Sequence, residues 1–212
     1  MALTTKDVIT TLNDNVTLSM YFFVGPIYVS AIGYRFVRND IYAGNIEVLE
    51  GAPGQNLAFY NNQTDILTTQ DGTPPANLDQ RALLLHECTH ALIDVLNLTA
   101  VTRHIDELAA YIAQHVYILR SNPSWTVAPN NAPWKNFFQS VVDLIKARRL
   151  DTVAGNNAII SIADLDPLQR QLIALPGVNY GSIPKEALTG ANGVDDHGVI
   201  QRLARKIASR PT

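Results

Sequence analysis

Cysteine is nearly missing: Cys88 is the only one in 212 residues, so the chain closes no internal disulfide. That suits a reducing compartment and equally a protein exported without a leader, which leaves the redox surroundings open. Charge is also sparse. Lys, Arg, Asp and Glu make up 17% of the chain and the formal net charge is −3, against about 25% charged residues in an average soluble domain. No run of five basic residues occurs, so nothing supplies the phosphate-neutralising stripe that nucleic-acid binding needs, and nucleic acid is not an expected partner. Internal repeats and low-complexity blocks are lacking, and glycine and proline are not in excess, which excludes collagen-like and disordered classes. The first residues carry neither the cationic start nor the small-residue cleavage site of a secretory leader. The expectation is a cytoplasmic protein or one secreted without a leader.

One long uncharged stretch is present, Val16 to Tyr34 (VTLSMYFFVGPIYVSAIGY). Gly25-Pro26 interrupts its middle and Thr17, Ser19 and Ser30 dilute it, so a buried helix-to-strand passage is expected rather than a membrane span. With 47% apolar residues and a length that buries roughly 70% of the unfolded surface, the chain can build a core without metal or disulfide staples. A single domain over 1–212 is expected, and any metal should be functional.

Within it, Ile9, Leu12, Val16 and Met20 recur at three-to-four spacing behind Thr4 or Thr5, predicting an amphipathic helix from Thr4 to Met20. Residues 26 to 70 are rich in β-branched and aromatic types with turn residues at Asn39-Asp40, Gly51 to Gly54 and Asn61-Asn62. Strands are expected over Ile27 to Val37, Ile46 to Leu49, Leu57 to Tyr60 and Ile66 to Thr69, forming a small, mostly antiparallel sheet. After Thr73-Pro74-Pro75 the period becomes helical, with Asn77 as cap, and helices are predicted from Leu78 to Leu96 and from Arg103 to Leu119. Ser121 to Pro133 reads as a loop. A helical C-terminal portion follows over 134–212, with helices at Trp134 to Arg149, from Asp166-Pro167, and around Val199, Leu203 and Ile207. The sum is an α+β fold in three sections: an N-terminal helix and sheet over 1–75, a helix pair over 76–120, and the C-terminal helices.

The chemistry concentrates in His86-Glu87-Cys88-Thr89-His90, an HExxH pattern inside the first long helix. Four residues are just over one turn, so both imidazoles leave one face about 6 Å apart and can converge on one cation. Glu87, about 100° around the helix, can reach a metal-bound water but is badly placed as a ligand. The framing residues Leu83, Leu84, Leu85, Leu92 and Ile93 place these polar groups in apolar surroundings, where they need partners or a metal. A catalytic zinc takes three protein ligands. In an antiparallel helix pair Glu107 lies level with His90, which favours it as third ligand, with His104 and Asp106 as lesser candidates. His104, Glu107, Tyr111 and His115 form a polar stripe whose members other than Glu107 read most simply as a solvated face. Cys88 points away from the histidines and reads as core. Asp195-Asp196-His197 reads as a helix cap rather than a metal cluster.

These residues resemble the zincin metallopeptidases and, within them, the gluzincins. His86 to Asp94 looks like the active-site helix of the thermolysin-like peptidases, which also place Thr, Ala and Asp where Thr89, Ala91 and Asp94 stand. The resemblance covers about 50 residues, from near Leu57 through the second helix. It implies His86, His90 and Glu107 as Zn2+ ligands, Glu87 as general base, and a peptide or protein substrate laid along a strand before the helix, Ile66 to Thr69 or Leu57 to Tyr60. It also implies a zinc-activated water, with Glu87 taking its proton and delivering it to the leaving amine. Two departures stand out. The gap from His90 to Glu107 is short, and Tyr111 occupies the place where those enzymes keep an aspartate that orients the first histidine. Asp94 or Asp106 is the expected substitute. Candidate oxyanion donors are Tyr111, His115, Tyr180 and His197. The alternative of a different class is an idle zincin-like binding module or secreted effector. The oligomeric state is not legible in the residues.

Overall fold

The structure is a computed structural model and describes residues 4–49, 58–69, 77–128, 132–177 and 187–188. The fold is α+β, with seven α-helices and two small three-stranded sheets among these residues. Helix α1 (Thr5–Leu12) starts on a capping box in which Thr4 and Asp7 satisfy each other's backbone N–H groups. The single helix predicted to Met20 breaks at Asn13-Asp14. Asp14 accepts from the Val16 N–H at 2.8 Å and so starts a separate turn, α2 (Asn15–Leu18). A short acidic side chain that bonds its own backbone competes with continued helix.

Strands β1 (Tyr21–Val24) and β2 (Ile27–Ser30) form a hairpin around Gly25-Pro26. The strand predicted to Val37 stops at Ser30, whose hydroxyl caps α3 (Ala31–Ala43) by accepting from the Gly33 N–H. Tyr34, Val37 and Ile41 then fall on one buried helical face, so the β-branched composition there serves a core-facing helix. Asn39-Asp40 lies inside α3, and the chain turns instead at Gly44, whose φ of 77° ends the helix in the left-handed region. The uncharged stretch 16–34 is thus shared among α2, the hairpin and α3, and no helix among the described residues is long and apolar enough to cross a membrane.

Strands β3 (Glu47–Leu49), β4 (Phe59–Asn61) and β5 (Ile66–Thr68) lie close to their predicted positions. The sheet arrangement differs from the expected single, mostly antiparallel one. In one sheet β5 is central, parallel to β3 and antiparallel to β4. In the other β1 is central, antiparallel to β2 and parallel to β6 (Ala158–Ile160), a strand the sequence pattern did not announce. Four more helices complete the fold: α4 (Leu78–Val95), α5 (Arg103–Ser121), α6 (Ala132–Ala147) and α7 (Ile162–Ile173). Helix α7 begins four residues before the expected Asp166-Pro167, on a Ser161–Asp164 capping box, which puts Pro167 in its second turn. The last expected helix, with the 195–197 cluster, lies outside the described residues.

Helices α4 and α5 pack on each other more extensively than any other two elements. The back of α4 is pressed against α3: a Cβ on Gly33 would stand 2.6 Å from Leu92 Cδ1, and Tyr34 Oη donates to Thr89 Oγ1 at 2.9 Å, whose own hydrogen goes to the Leu85 carbonyl. At the far end of α5, Arg120 donates to the Leu150, Ser19 and Thr152 carbonyls and to Asn156 Oδ1, tying the helix to the segment that leads into β6.

Candidate metal centre

The site follows from how the two helices are started and stacked. Asn77 caps α4 and Thr102 caps α5, each accepting a backbone N–H of its first turn. The apolar residues Leu84, Leu85, Ile105, Leu108 and Ile112 are buried around the pair. On the facing surfaces, one ligand atom each from His86, His90 and Glu107 gathers within 4.8 Å of the others. The two imidazole Nε2 atoms are 3.2 Å apart, and Glu107 Oε2 stands 3.8 Å from that of His86 and 3.9 Å from that of His90. The predicted level of Glu107 beside His90 is what the helix pair adopts.

The other ring nitrogens decide what these atoms can do. His90 Nδ1 donates to Asp106 Oδ1 at 2.6 Å, and His86 Nδ1 donates to Gln114 Oε1 at 3.1 Å. With both Nδ1 atoms carrying hydrogens, both Nε2 atoms present lone pairs, and the third member, a carboxylate oxygen, is also an acceptor. Three acceptors facing one point repel each other unless a cation or a proton joins them. A tetrahedral ion with bonds of about 2.0–2.1 Å keeps its ligand atoms about 3.4 Å apart, and the spacing here brackets that value at its short edge and exceeds it slightly at the other two. The residues therefore fit a divalent metal by donor type, by spacing and by the orientation of their second nitrogens.

The electrostatics agree. Burial lowers the basicity of His90, but the carboxylates of Asp106 and Glu107, the Asp106 hydrogen bond and Glu87 outweigh it and push the imidazole up to about 10. His86 moves the other way, held well below the ordinary range by burial and by the charge on His90. Where no metal is bound, a single proton on His90 is the cation this corner collects.

Glu87 is 93% enclosed, with 7% of its surface exposed, and Oε2 accepts the backbone N–H of Tyr60 on β4 at 2.8 Å. Burial raises its carboxyl to about 7; His90 and the Tyr60 N–H oppose the rise, and Glu107 and Asp106 add to it. A carboxyl poised near neutrality can both take and return a proton. Glu87 and His86 line a cavity of about 460 Å³ together with Leu83, Tyr111, Trp134 and Phe138, so the site opens to an apolar, aromatic recess.

Several expected roles are reassigned. Asp106 orients His90, not His86. Asp94 Oδ2 accepts from Tyr60 Oη at 2.8 Å, bracing the residue whose N–H holds Glu87. Burial and the neighbouring carboxylates of Asp94 and Asp65 push the Tyr60 hydroxyl far up, so it remains a donor. Gln114 was missed, though it stands seven residues after Glu107 and so on the same face. Tyr111 sets its ring edge-on to His86, with centroids 4.6 Å apart, and against Phe137 and Phe138. The polar stripe is no solvated face. His104 is fully buried and accepts from Gln169 Nε2, away from the metal group. His115 is buried against Trp125 and Phe138, its Nδ1 donating to the Tyr111 carbonyl, and burial lowers it to about 4, so it is neutral packing rather than an oxyanion donor. Tyr180 and His197 lie outside the described residues. Cys88 is core as expected, its thiol pushed up by burial.

Comparison with known proteins yields no match: no protein family, curated relative or solved structure aligns with the chain.

Proposed function

We propose that the chain is a zinc-dependent metallopeptidase that hydrolyses peptide bonds in peptides or proteins. The observation that carries this reading is the meeting of three acceptor atoms, from His86, His90 and Glu107, beside a carboxyl that titrates near neutrality at the floor of a cavity. His86, His90 and Glu107 would hold Zn2+, which when bound acidifies a water toward neutrality and polarises the scissile carbonyl.

The chain's own residues supply the rest. Tyr60 N–H fixes Glu87 Oε2, leaving Oε1 to take the proton of the attacking water and pass it to the departing amine. Asp106 and Gln114 keep both imidazoles in the tautomer that presents Nε2. Tyr111, against His86 on the cavity wall, is placed to help hold the developing oxyanion. Among the described residues strand β4 is an outer strand of its sheet, with Phe59 41% exposed, and offers an extended peptide a backbone edge.

Protein purified without added zinc should carry about one equivalent of metal per chain, because three ligands and one open position define a single site. The wild type should cut a mixed peptide pool, and Glu87→Gln should keep the metal while cleavage falls about 100- to 10,000-fold. Metal-free protein that also fails to take up zinc would end the reading. Bound zinc without cleavage by the wild type would favour the idle binding-module alternative.

A further inference from the structure

The cavity beside His86 also constrains the side chain it accepts. We propose that it is a specificity pocket for a long cationic side chain, arginine before lysine, on a residue adjoining the scissile bond; this rests on the peptidase reading above. His86 and Glu87 form its floor, so only a residue next to the reacting carbonyl reaches it. Leu83, Trp134 and Phe138 give it apolar and aromatic walls.

Two acceptors of its lining have no donor among the described residues. Asp79 is an exposed residue of the lining whose carboxylate makes no hydrogen bond or ion pair with any described residue, and Gln80 Oε1 is buried with no donor among the described residues. Gln114 Oε1 is already engaged by His86. Among the described residues no Lys or Arg lines this cavity. Lys135 lines a smaller neighbouring one of about 180 Å³ and forms no ion pair with Asp79.

The candidate occupants separate on this chemistry. A leucine or phenylalanine side chain would leave buried Gln80 Oε1 without a donor and would offer the Asp79 carboxylate no charge. An acidic side chain would face the Asp79 and Glu87 carboxylates. Tyrosine brings one donor and no charge. Arginine brings five donors, a planar cation that stacks on an aromatic face, and an aliphatic stem that covers Leu83. Lysine shares the charge but not the fork. At about 460 Å³ the cavity has room for either side chain with water to spare.

The test uses the zinc-loaded full chain and peptides that differ only at the two positions flanking the cleaved bond, with products read by mass spectrometry. At one of those positions arginine should raise kcat/KM about tenfold over leucine, the yield expected of one charge-assisted pairing, with lysine between. Asp79→Asn and Gln80→Leu should each move the arginine-to-leucine ratio several-fold toward leucine. In parallel, the Glu87→Gln protein is titrated with an arginine peptide and its norleucine counterpart, following tryptophan fluorescence, and the arginine peptide should bind about tenfold more tightly. Cleavage that favours leucine or phenylalanine, or is indifferent, overturns the pocket assignment while leaving the peptidase reading intact. If no peptide is cut, the peptidase reading fails and the binding titration decides the pocket alone: equal affinities overturn it.

Discussion

The two sides of the metal group are built from different materials. On the His90 side the partner is a carboxylate, Asp106, from the first turn of α5, at 2.6 Å and well enclosed. On the His86 side the partner is a neutral amide, Gln114, at 3.1 Å, and the ring packs nearly perpendicular to Tyr111 beside the open cavity. A charge-assisted hydrogen bond is shorter and stronger than a neutral one, so of the two imidazoles His90 is the more firmly held and the more electron-rich. Keeping the His86 side neutral spares the cavity a further buried carboxylate near Glu87, whose own proton affinity burial already raises, with Glu107 and Asp106 adding to it. On the proposed reading, the arrangement separates the firmer hold on the ion from the face that would meet substrate.

The largest effect expected from this contrast is at Asp106. Asp106→Asn should weaken zinc binding about 100-fold, or about 2.7 kcal/mol, measured by competition with a chelator of known affinity. An unchanged affinity would erase the distinction between the two sides. Gln114→Leu should weaken binding by about tenfold, because the bond it removes is neutral; a loss equal to that of Asp106→Asn would show the two sides to be equivalent. The smallest effect sharpens the contrast by probing neither side. Tyr60→Phe removes the hydroxyl donor from buried Asp94 and should cost about 1 kcal/mol of folding stability in urea titration, with zinc affinity unchanged.

What was legible before the structure follows from how local each signal is. His86, Glu87, His90 and Glu107 lie on two helices whose caps, Asn77 and Thr102, and whose period are written within a few residues. Asp106 was in view because carboxylates advertise themselves, but spacing alone could not say which histidine it meets. Gln114 was not, since an amide acceptor has no signature, and the neighbouring His115 drew attention to a position one residue off the ligand-facing line. The solvated reading of His104 and His115 failed because α6 and α7 cover that stripe, and a covering helix from later in the chain leaves no mark on the residues it covers. The same holds for β6, whose parallel pairing joins Phe22 to Ala158. Between Ile27 and Val37 the β-branched residues pointed to strand throughout, and the cap at Ser30 prevailed.

The donor triad spans only positions 86 to 107, whereas the sheet around β1 must wait for residues 158–160. Bringing near neighbours together costs less chain entropy than joining distant ones, and contacts of short sequence separation form faster. The helical hairpin bearing the three donors can therefore pair without waiting for the strand that completes that sheet. On the proposed reading, an ion captured then would clamp α4 to α5 ahead of the surrounding chain, making metal supply a determinant of folding yield.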